Sequence, residues 1–200
     1  TALYGIVSAI VGLDKNEYLK HFQNKKCKMA IRILNPVKKT RIPINYIDTK
    51  IAIDMGGIKG RTQVNLEVLK DVRYRIYFHH EDNELQEKLK VFLQEHRNIY
   101  TVSLGLSEFI GNFSYTGEYL AQENTERKME EIHSIIPFNE DIKINFEGNR
   151  EYLKDTVYNE RNENREITEY IKVLFERKGN SIVSTIPHYL LESGERIVFI

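Results

Sequence analysis

The feature that most constrains the fold is a strictly alternating strand followed directly by a capped helix. The segment Val72–Phe78 (VRYRIYF) alternates large apolar and basic residues with period two, which predicts a half-buried strand. Asn83 or Asp82 then caps a predicted helix that runs to about His96. The apolar positions of this helix recur at helical spacing, at Leu85, Leu89, Phe92 and Leu93. A half-buried strand beside an amphipathic helix predicts an α+β fold.

The same two kinds of element occur earlier in the chain in the opposite order. Thr1 can cap a helix over Ala2–Val11, and Cys27–Leu34 has the composition of a strand. The order helix, strand, insertion, strand, helix becomes the ferredoxin-like β-α-β-β-α-β pattern if two further strands exist. One would be Tyr100–Leu104, and the other would precede Thr1. We therefore predict a ferredoxin-like domain over residues 1–104 whose N-terminal strand is missing from this chain.

An irregular insertion separates the two predicted strands of this domain, at about residues 36–71. It contains scattered β-forming residues together with Pro43 and the pair Gly56-Gly57. Its length and composition predict a long hairpin that projects from the core, with turns at Pro43 and at Gly56-Gly57.

The second half of the chain, residues 105–200, holds many short β-forming segments and predicts a smaller β-rich region. The predicted strands are Tyr115–Ala121, Met129–Ile136, Ile142–Phe146, Tyr152–Tyr158, Ile167–Phe175, Ile182–Ile186 and Arg196–Ile200. The second of these could equally form a short helix. Lys178-Gly179-Asn180 separates the fifth strand from the sixth, which predicts a hairpin between them.

Charge is strongly polarised along the chain although the formal net charge is zero. Eleven of the 29 Lys and Arg residues lie between Lys20 and Arg61, where Asp48 and Asp54 are the only acids. That stretch therefore carries +9 and the rest of the chain −9. A basic block of this size repels itself, which indicates a polyanion or an acidic partner.

The basic block coincides with the predicted hairpin, which indicates a binding surface for phosphates. Its cations include Lys38, Lys39, Arg41, Lys59 and Arg61. Glycines beside Lys59 and Arg61 would let backbone N–H groups approach phosphates closely. Thr62 and Gln63 follow Arg61, and a Gln side chain can read a base edge. The alternative is a solvated loop whose lysines serve solubility.

Other features argue against several classes of protein. No apolar run approaches the length of a membrane span, and the N-terminal residues lack the basic leader of a signal peptide. Cys27 is the single cysteine, so we expect a reducing, cytoplasmic setting without disulfides. The motifs of esterases, NTPases and dinucleotide-binding enzymes do not occur. His79-His80 would point to opposite faces of a strand, so we expect no metal site and no cofactor.

Four segments in order along the chain resemble a known family. They are TALYGIVSAIVGLD, RTQVNLEVLKDVRYRIYFHH, LGLSEFIGNFSY, and ITEYIKVLFERKG with a terminal ERIVFI. They resemble the fifth CRISPR-associated (Cas) protein family, in its subtype I-B form, within the RAMP superfamily. Members of this family usually begin with a strand and a Pro-rich approach to the TALYG helix, and this chain has neither.

The resemblance implies an RNA-recognition-motif-like domain with a protruding thumb and a smaller β-rich part. Such proteins hold the 5′ handle of the crRNA in the Cascade complex, which serves antiviral defence. They contact the backbone subunit and the large subunit, meet target DNA only indirectly, and touch no membrane. Here the resemblance implies a thumb at about Pro36–Asp71. The implied RNA contacts are Lys59, Arg61, Thr62 and Gln63, supported by Lys38, Lys39 and Arg41, with Thr1 and Tyr4 opening a helix whose positive end faces phosphates.

Two alternatives stay open beside this non-catalytic RNA-binding subunit. Relatives of another subtype cut pre-crRNA without a metal, with a Lys-His pair at the end of a strand as their signature. This chain has Phe78-His79-His80 there, so the Lys is missing and the resemblance disfavours catalysis. The first alternative is nevertheless a metal-independent endoribonuclease that uses His79 or His80 with a Tyr. The second is a protein–protein adaptor whose basic face meets an acidic partner.

Overall fold

A computed structural model of the chain describes residues 2–22, 26–47, 60–162, 164 and 166–200. The described residues form a mixed α+β protein with few helices and with strands that pair antiparallel throughout. The helices are α1 (Ala2–Val11), α2 (Tyr18–Phe22) and α3 (Asn83–Gln94). The strands of the first half are β1 (Cys27–Ile33), β2 (Lys38–Ile47), β3 (Arg61–Lys70) and β4 (Tyr74–His80).

The strands of the second half are short except for two. They are β5 (Ala121–Asn124), β6 (Glu130–Ile132), β7 (Ile136–Pro137), β8 (Ile144–Asn145), β9 (Tyr152–Arg161), β10 (Ile167–Glu176), β11 (Ile182–Ser184), β12 (His188–Leu191) and β13 (Arg196–Ile197). They form three-stranded sheets in the orders β7-β10-β9, β6-β11-β8 and β13-β12-β5. In the first half, β1 pairs with β4, and β2 pairs with β3. The β-rich character predicted for residues 105–200 is confirmed.

Helices α1 and α3 cover one face of the β1–β4 pair, and their predicted apolar faces form the core there. The Asp82 side chain caps α3 by accepting hydrogen bonds from the backbone N–H groups of Glu84 (2.9 Å) and Leu85 (3.3 Å). This core consists of Val7, Ile10, Val11, Phe22, Met29, Leu85, Leu89, Phe92 and Val102. Each fully buried large apolar side chain stabilises the fold by about 1.5–3 kcal/mol.

The opposite face of the β1–β4 pair is covered by the C-terminal strands. Ala30 and Tyr77 pack there against Leu191 and Ile197. The predicted strand forms, but its burial differs from the prediction: Tyr77, on the basic side, is buried, whereas Tyr74 and Ile76, on the apolar side, are exposed. Arg75 and Tyr77 both bond to Glu195, which lies between β12 and β13. The β1–β4 pair therefore lies between the helices of the first half and the strands of the second half.

The predicted closing strand Tyr100–Leu104 is wrong. The backbone N–H groups of Ile99 and Tyr100 donate instead to the carbonyls of Ile10 (3.1 Å) and Ala9 (2.9 Å), at the C-terminal end of α1. Those carbonyls have no partner within a helix, so the segment satisfies them. Gly12, at φ +78°, lies directly under Ile99, where a Cβ would stand 2.8 Å from the Ile99 side chain.

The predicted hairpin between the strands on either side of Lys178-Gly179-Asn180 is also wrong. Both edges of β10 are already taken by β9 and β7, while β11 pairs with β6 and β8. The buried Glu176 carboxylate accepts hydrogen bonds from the N–H groups of Lys178 (2.8 Å) and Asn180 (2.9 Å). These two bonds hold the turn through which the chain leaves β10 and enters β11, a strand of a different sheet. Gly179 (φ +83°) approaches the Ile33 carbonyl too closely for any Cβ.

The sequence predicted turns in the insertion at Pro43 and at Gly56-Gly57. Pro43 lies within β2 opposite Asn65, so the turn predicted there is wrong. A Pro is tolerated because both strands of a two-stranded ribbon are edge strands, where an N–H can be absent. The turn predicted at Gly56-Gly57 lies outside the described residues. Among the described residues, no helix is long and apolar enough to cross a membrane.

Candidate nucleic-acid interface

The basic insertion folds as a two-stranded ribbon, β2 paired with β3, here called the basic ribbon. Ten residue pairs connect the strands in unbroken register, from Lys38↔Lys70 to Ile47↔Arg61. Every side chain of the ribbon is exposed or half-buried. At its root, the Asn35 side chain donates to the Asp71 carbonyl (2.9 Å). The ribbon is therefore bonded along its own length and anchored only at one end within the described residues.

Register and strand alternation divide the basic ribbon into two chemically different faces. One face, the polar face, carries Lys39, Arg41, Asn45, Arg61, Gln63, Asn65 and Glu67, together with Pro43, Ile47 and Leu69. The other face is mostly apolar and carries Thr40, Ile42, Ile44, Tyr46, Val64, Leu66 and Val68, with Lys38, Thr62 and Lys70. The structure thus puts Lys39, Arg41, Arg61 and Gln63 on one face, with Arg61 about 20 Å from Arg41 along the ribbon, and puts Lys38 and Thr62 on the opposite side. The apolar residues at 42, 44 and 46 were the sequence signal for this division.

The polar face holds one internal ion pair. Lys39 Nζ lies 2.7 Å from Glu67 Oε1, and both side chains are at least half exposed. The hydrogen bond from Lys39, with the charges of Lys39 and Arg41, lowers the pKa of Glu67. Exposed pairs of this kind contribute little to stability because water screens them, so a phosphate can replace the Glu67 carboxylate at Lys39. Lys39 and Arg41 are neighbours on one face of β2, and such neighbours stand about 6.6–6.8 Å apart.

Tyr4 lies away from the basic ribbon, in a cavity of about 350 Å³ between α1 and the C-terminal strands. Its ring stacks on Phe22, with centroids 4.9 Å apart. Burial is the main cause that raises the pKa of Tyr4, and a hydrogen bond with Cys27 adds to it. Tyr4 is therefore not part of one surface with Arg41 and Arg61. Thr1 and Lys59, the other predicted RNA contacts, lie outside the described residues.

Cys27 faces the same cavity, and its burial gives a prediction about its reactivity. Burial raises the pKa of the Cys27 thiol to about 11, outweighing the opposite effect of the Tyr4 hydrogen bond. At pH 8 the thiolate fraction is then ~100-fold below that of an ordinary thiol. We expect Ellman's reagent at pH 8 to react with folded protein about 100-fold more slowly than with urea-unfolded protein. Equal rates in the two states would contradict this account.

The two strand-end histidines have unequal surroundings. His80 is buried, and its Nδ1 accepts a hydrogen bond from the backbone N–H of Asp82 (2.9 Å). Its Nε2 lies 2.8 Å from the carbonyl oxygen of His21, so Nε2 carries the proton and donates it. Nδ1 thus holds the β4–α3 junction and Nε2 holds α2, so both ring nitrogens of His80 are engaged with backbone groups rather than open to a substrate. His79 is exposed on the other face of the strand.

Sequence reasoning missed the ion-pair cluster around Glu195. The Glu195 carboxylate accepts hydrogen bonds from Arg32, from Arg75 (2.9 Å) and from the Tyr77 hydroxyl (2.9 Å). Burial opposes ionisation, but the Tyr77 hydrogen bond and the two guanidinium charges outweigh it and lower the pKa of Glu195. The sequence signal for this cluster was the basic second face of VRYRIYF, because arginines that lie against protein need an acidic partner.

The described residues contain no group of three or more His, Cys, Asp and Glu side chains that could hold a metal ion. No family model matches the sequence, and no curated protein is similar enough to count as a relative. What this chain does must therefore be argued from its own surfaces.

Proposed function

We propose that this protein binds single-stranded RNA through the polar face of the basic ribbon, as a non-catalytic subunit of a type I CRISPR effector. The RNA would be the 5′ handle of crRNA, and the setting antiviral defence in the cytoplasm. The observation that carries the proposal is that Lys39, Arg41, Arg61 and Gln63 share one exposed face. Lys39 and Arg41 are two residues apart, and Arg61 lies about 20 Å farther along the ribbon, so an extended RNA strand that follows the ribbon can contact all three cations through its phosphates.

The proposal includes the finer architecture. The order α1, β1, ribbon, β4, α3 would be a ferredoxin-like domain of the RAMP type over residues 1–104, with the ribbon as its thumb. Residues 105–200 would form the smaller β-rich part. The proposed partners are the Cascade backbone subunit and the large subunit, through which the chain would meet target DNA indirectly. The four segments that resemble the fifth Cas family support this assignment.

Geometry favours this function over an endoribonuclease. Metal-independent cleavage needs a general base that can reach a 2′-hydroxyl. His80 cannot serve, because its two ring nitrogens already bond to backbone groups. A phosphate-binding face needs only exposed cations and hydrogen-bond donors, which the polar face has.

The test is an RNA-binding and cleavage assay with purified protein in EDTA. We expect a labelled repeat RNA to bind without being cut. If about four phosphates are contacted, log K should fall against log salt with a slope of about −3. Site-specific cleavage that His79→Ala abolishes would show an endoribonuclease instead. Absence of RNA binding at low salt would favour the protein–protein adaptor. RNA that copurifies with the operon-expressed effector, identified by sequencing, would show which RNA is bound.

A further inference from the structure

The β9–β10 pair carries a second exposed surface that the basic ribbon does not explain. Register places Tyr158 opposite Tyr170 and Thr156 opposite Lys172, so these four side chains share one face. The two tyrosine rings meet edge to face, with centroids 5.5 Å apart and planes 71° apart. Tyr158 is 49% exposed and Tyr170 60% exposed. Their paired rings therefore stand in solvent.

The face that carries Thr156, Tyr158, Tyr170 and Lys172 is here called the tyrosine face. Cations lie beside its two rings. The Arg161 guanidinium lies 5.7 Å from the centroid of the Tyr158 ring. Lys172 and Lys154 are exposed on the same side of the sheet, and Lys154 Nζ lies 4.0 Å from the Phe138 ring centroid. The tyrosine face thus combines aromatic rings with positive charge.

Three acids of the same two strands lie on the other side, whereas Glu176 is buried on the tyrosine side. Asp155 pairs with Val173, and Glu160 pairs with Glu169 across an irregularity in register, so the three carboxylates face away from Tyr170. Asn159, Glu160 and Glu169 line the cavity that also holds Tyr4. The reverse face of the strand pair is therefore acidic, and the exposed charges of the tyrosine face are cationic, from Lys154 and Lys172. This distribution of charge fits a polyanion on the tyrosine face and opposes one on the reverse face.

We propose that the tyrosine face stacks unpaired bases of the RNA that the basic ribbon binds, so the inference rests on the proposed function. Every base has a π-face, and stacking on an aromatic side chain changes affinity by about 5- to 150-fold per base. Lys172 and Arg161 are placed to contact the adjoining phosphates. The hydroxyls of the two tyrosines are not needed for this role.

The two RNA-binding surfaces start from a common root. The Val37 N–H, just before the basic ribbon, donates to the Arg177 carbonyl (2.8 Å), just after β10. The Arg177 side chain donates back to the Val37 carbonyl (3.2 Å). Tyr170 lies six residues before Glu176, the last residue of β10, which corresponds to about 20 Å along a strand. An RNA strand bound at the root of the ribbon would have to extend about 20 Å to reach Tyr170.

The test compares Tyr158→Ala/Tyr170→Ala with Tyr158→Phe/Tyr170→Phe, with Tyr100→Ala as the control. Tyr100 is 53% exposed and lies outside both surfaces. The probe is a labelled single-stranded repeat RNA, and a second probe has abasic sites in place of internal bases. We expect the Ala pair to lose about 10-fold or more in affinity, the Phe pair less than about 2-fold, and the salt slope to stay unchanged. The abasic probe should weaken wild-type binding and bring it to the level of the Ala pair.

The outcomes separate this inference from the proposed function. If the Ala pair binds like the wild type while charge reversal on the basic ribbon abolishes binding, the tyrosine face is not a stacking surface. The same conclusion follows if the Phe pair loses as much as the Ala pair, or if wild-type protein binds both probes equally. If wild-type protein binds neither probe, the proposed function itself fails, and this inference fails with it. Because the abasic comparison uses wild-type protein, equal binding of the two probes overturns the inference even if the Ala pair does not fold.

Discussion

Replacing Arg41 and Arg61 together by glutamate should weaken RNA binding by about 2–5 kcal/mol, at least about 30-fold near 0.1 M salt. The two residues lie on the polar face of the basic ribbon, Arg61 at the far end of its described length and Arg41 about 20 Å nearer the root. Each substitution removes a cation from a phosphate and puts a carboxylate in its place. The measurement is fluorescence anisotropy of a labelled repeat RNA over a range of salt concentrations. The slope of log K against log salt should become shallower by about 1.4, because two single-strand phosphate contacts are lost.

A matched control comes from the other face of the same ribbon. Lys38 and Lys70 are directly opposite each other on the apolar face. Their double change to glutamate alters the net charge of the protein by the same amount, so it tests long-range attraction separately from contact. We expect it to lose much less affinity and to keep most of the salt slope. Equal losses from the two double variants would mean that the ribbon attracts RNA only by its overall charge.

Local structure could be predicted from this sequence wherever periodicity and caps agreed. The helix α1 has the predicted bounds Ala2–Val11, and α3 begins after Asp82 as expected. The strand predicted over VRYRIYF also forms, as Tyr74–His80, but Tyr77 is buried there while Tyr74 and Ile76 are exposed. For the two helices the signal lies within about a dozen residues, and burial of one face stabilises the local pattern. Tertiary packing therefore preserves the local structure that these signals predict.

Pairing between distant segments could not be predicted in the same way. Strand partners depend on which edges are already occupied, and β10 is taken on both sides before β11 is reached. Tyr100–Leu104 has the composition of a strand, yet the open carbonyls of α1 compete for its N–H groups. In the candidate site, the cationic residues were predicted from composition. Composition does not show that Lys39 lies on the polar face and Lys38 on the other, because that depends on the phase of the strand.

Replacing Glu195 by glutamine should destabilise the fold by about 2–4 kcal/mol at pH 7. The carboxylate is 12% exposed, and it joins Arg32 of β1, Arg75 of β4 and the turn between β12 and β13. Glutamine keeps the shape but leaves two partly buried guanidinium groups without an anion. The loss stays below that of a fully buried pair because both arginines keep about a quarter or more of their exposure. Urea unfolding, followed by circular dichroism, measures the difference.

The pH dependence of this loss tests its cause. The pKa of Glu195 is lowered in the folded protein. Its contribution is therefore complete above the ordinary carboxyl value of 4.5 and disappears as the pH falls through the lowered folded value. The stability gap between wild type and Glu195→Gln should be constant near neutrality and shrink in acid. Glu192→Gln is the matched control, because Glu192 is exposed in the same turn. An equal loss from Glu192→Gln, or a gap that persists in acid, would exclude the carboxylate–guanidinium interaction as its source.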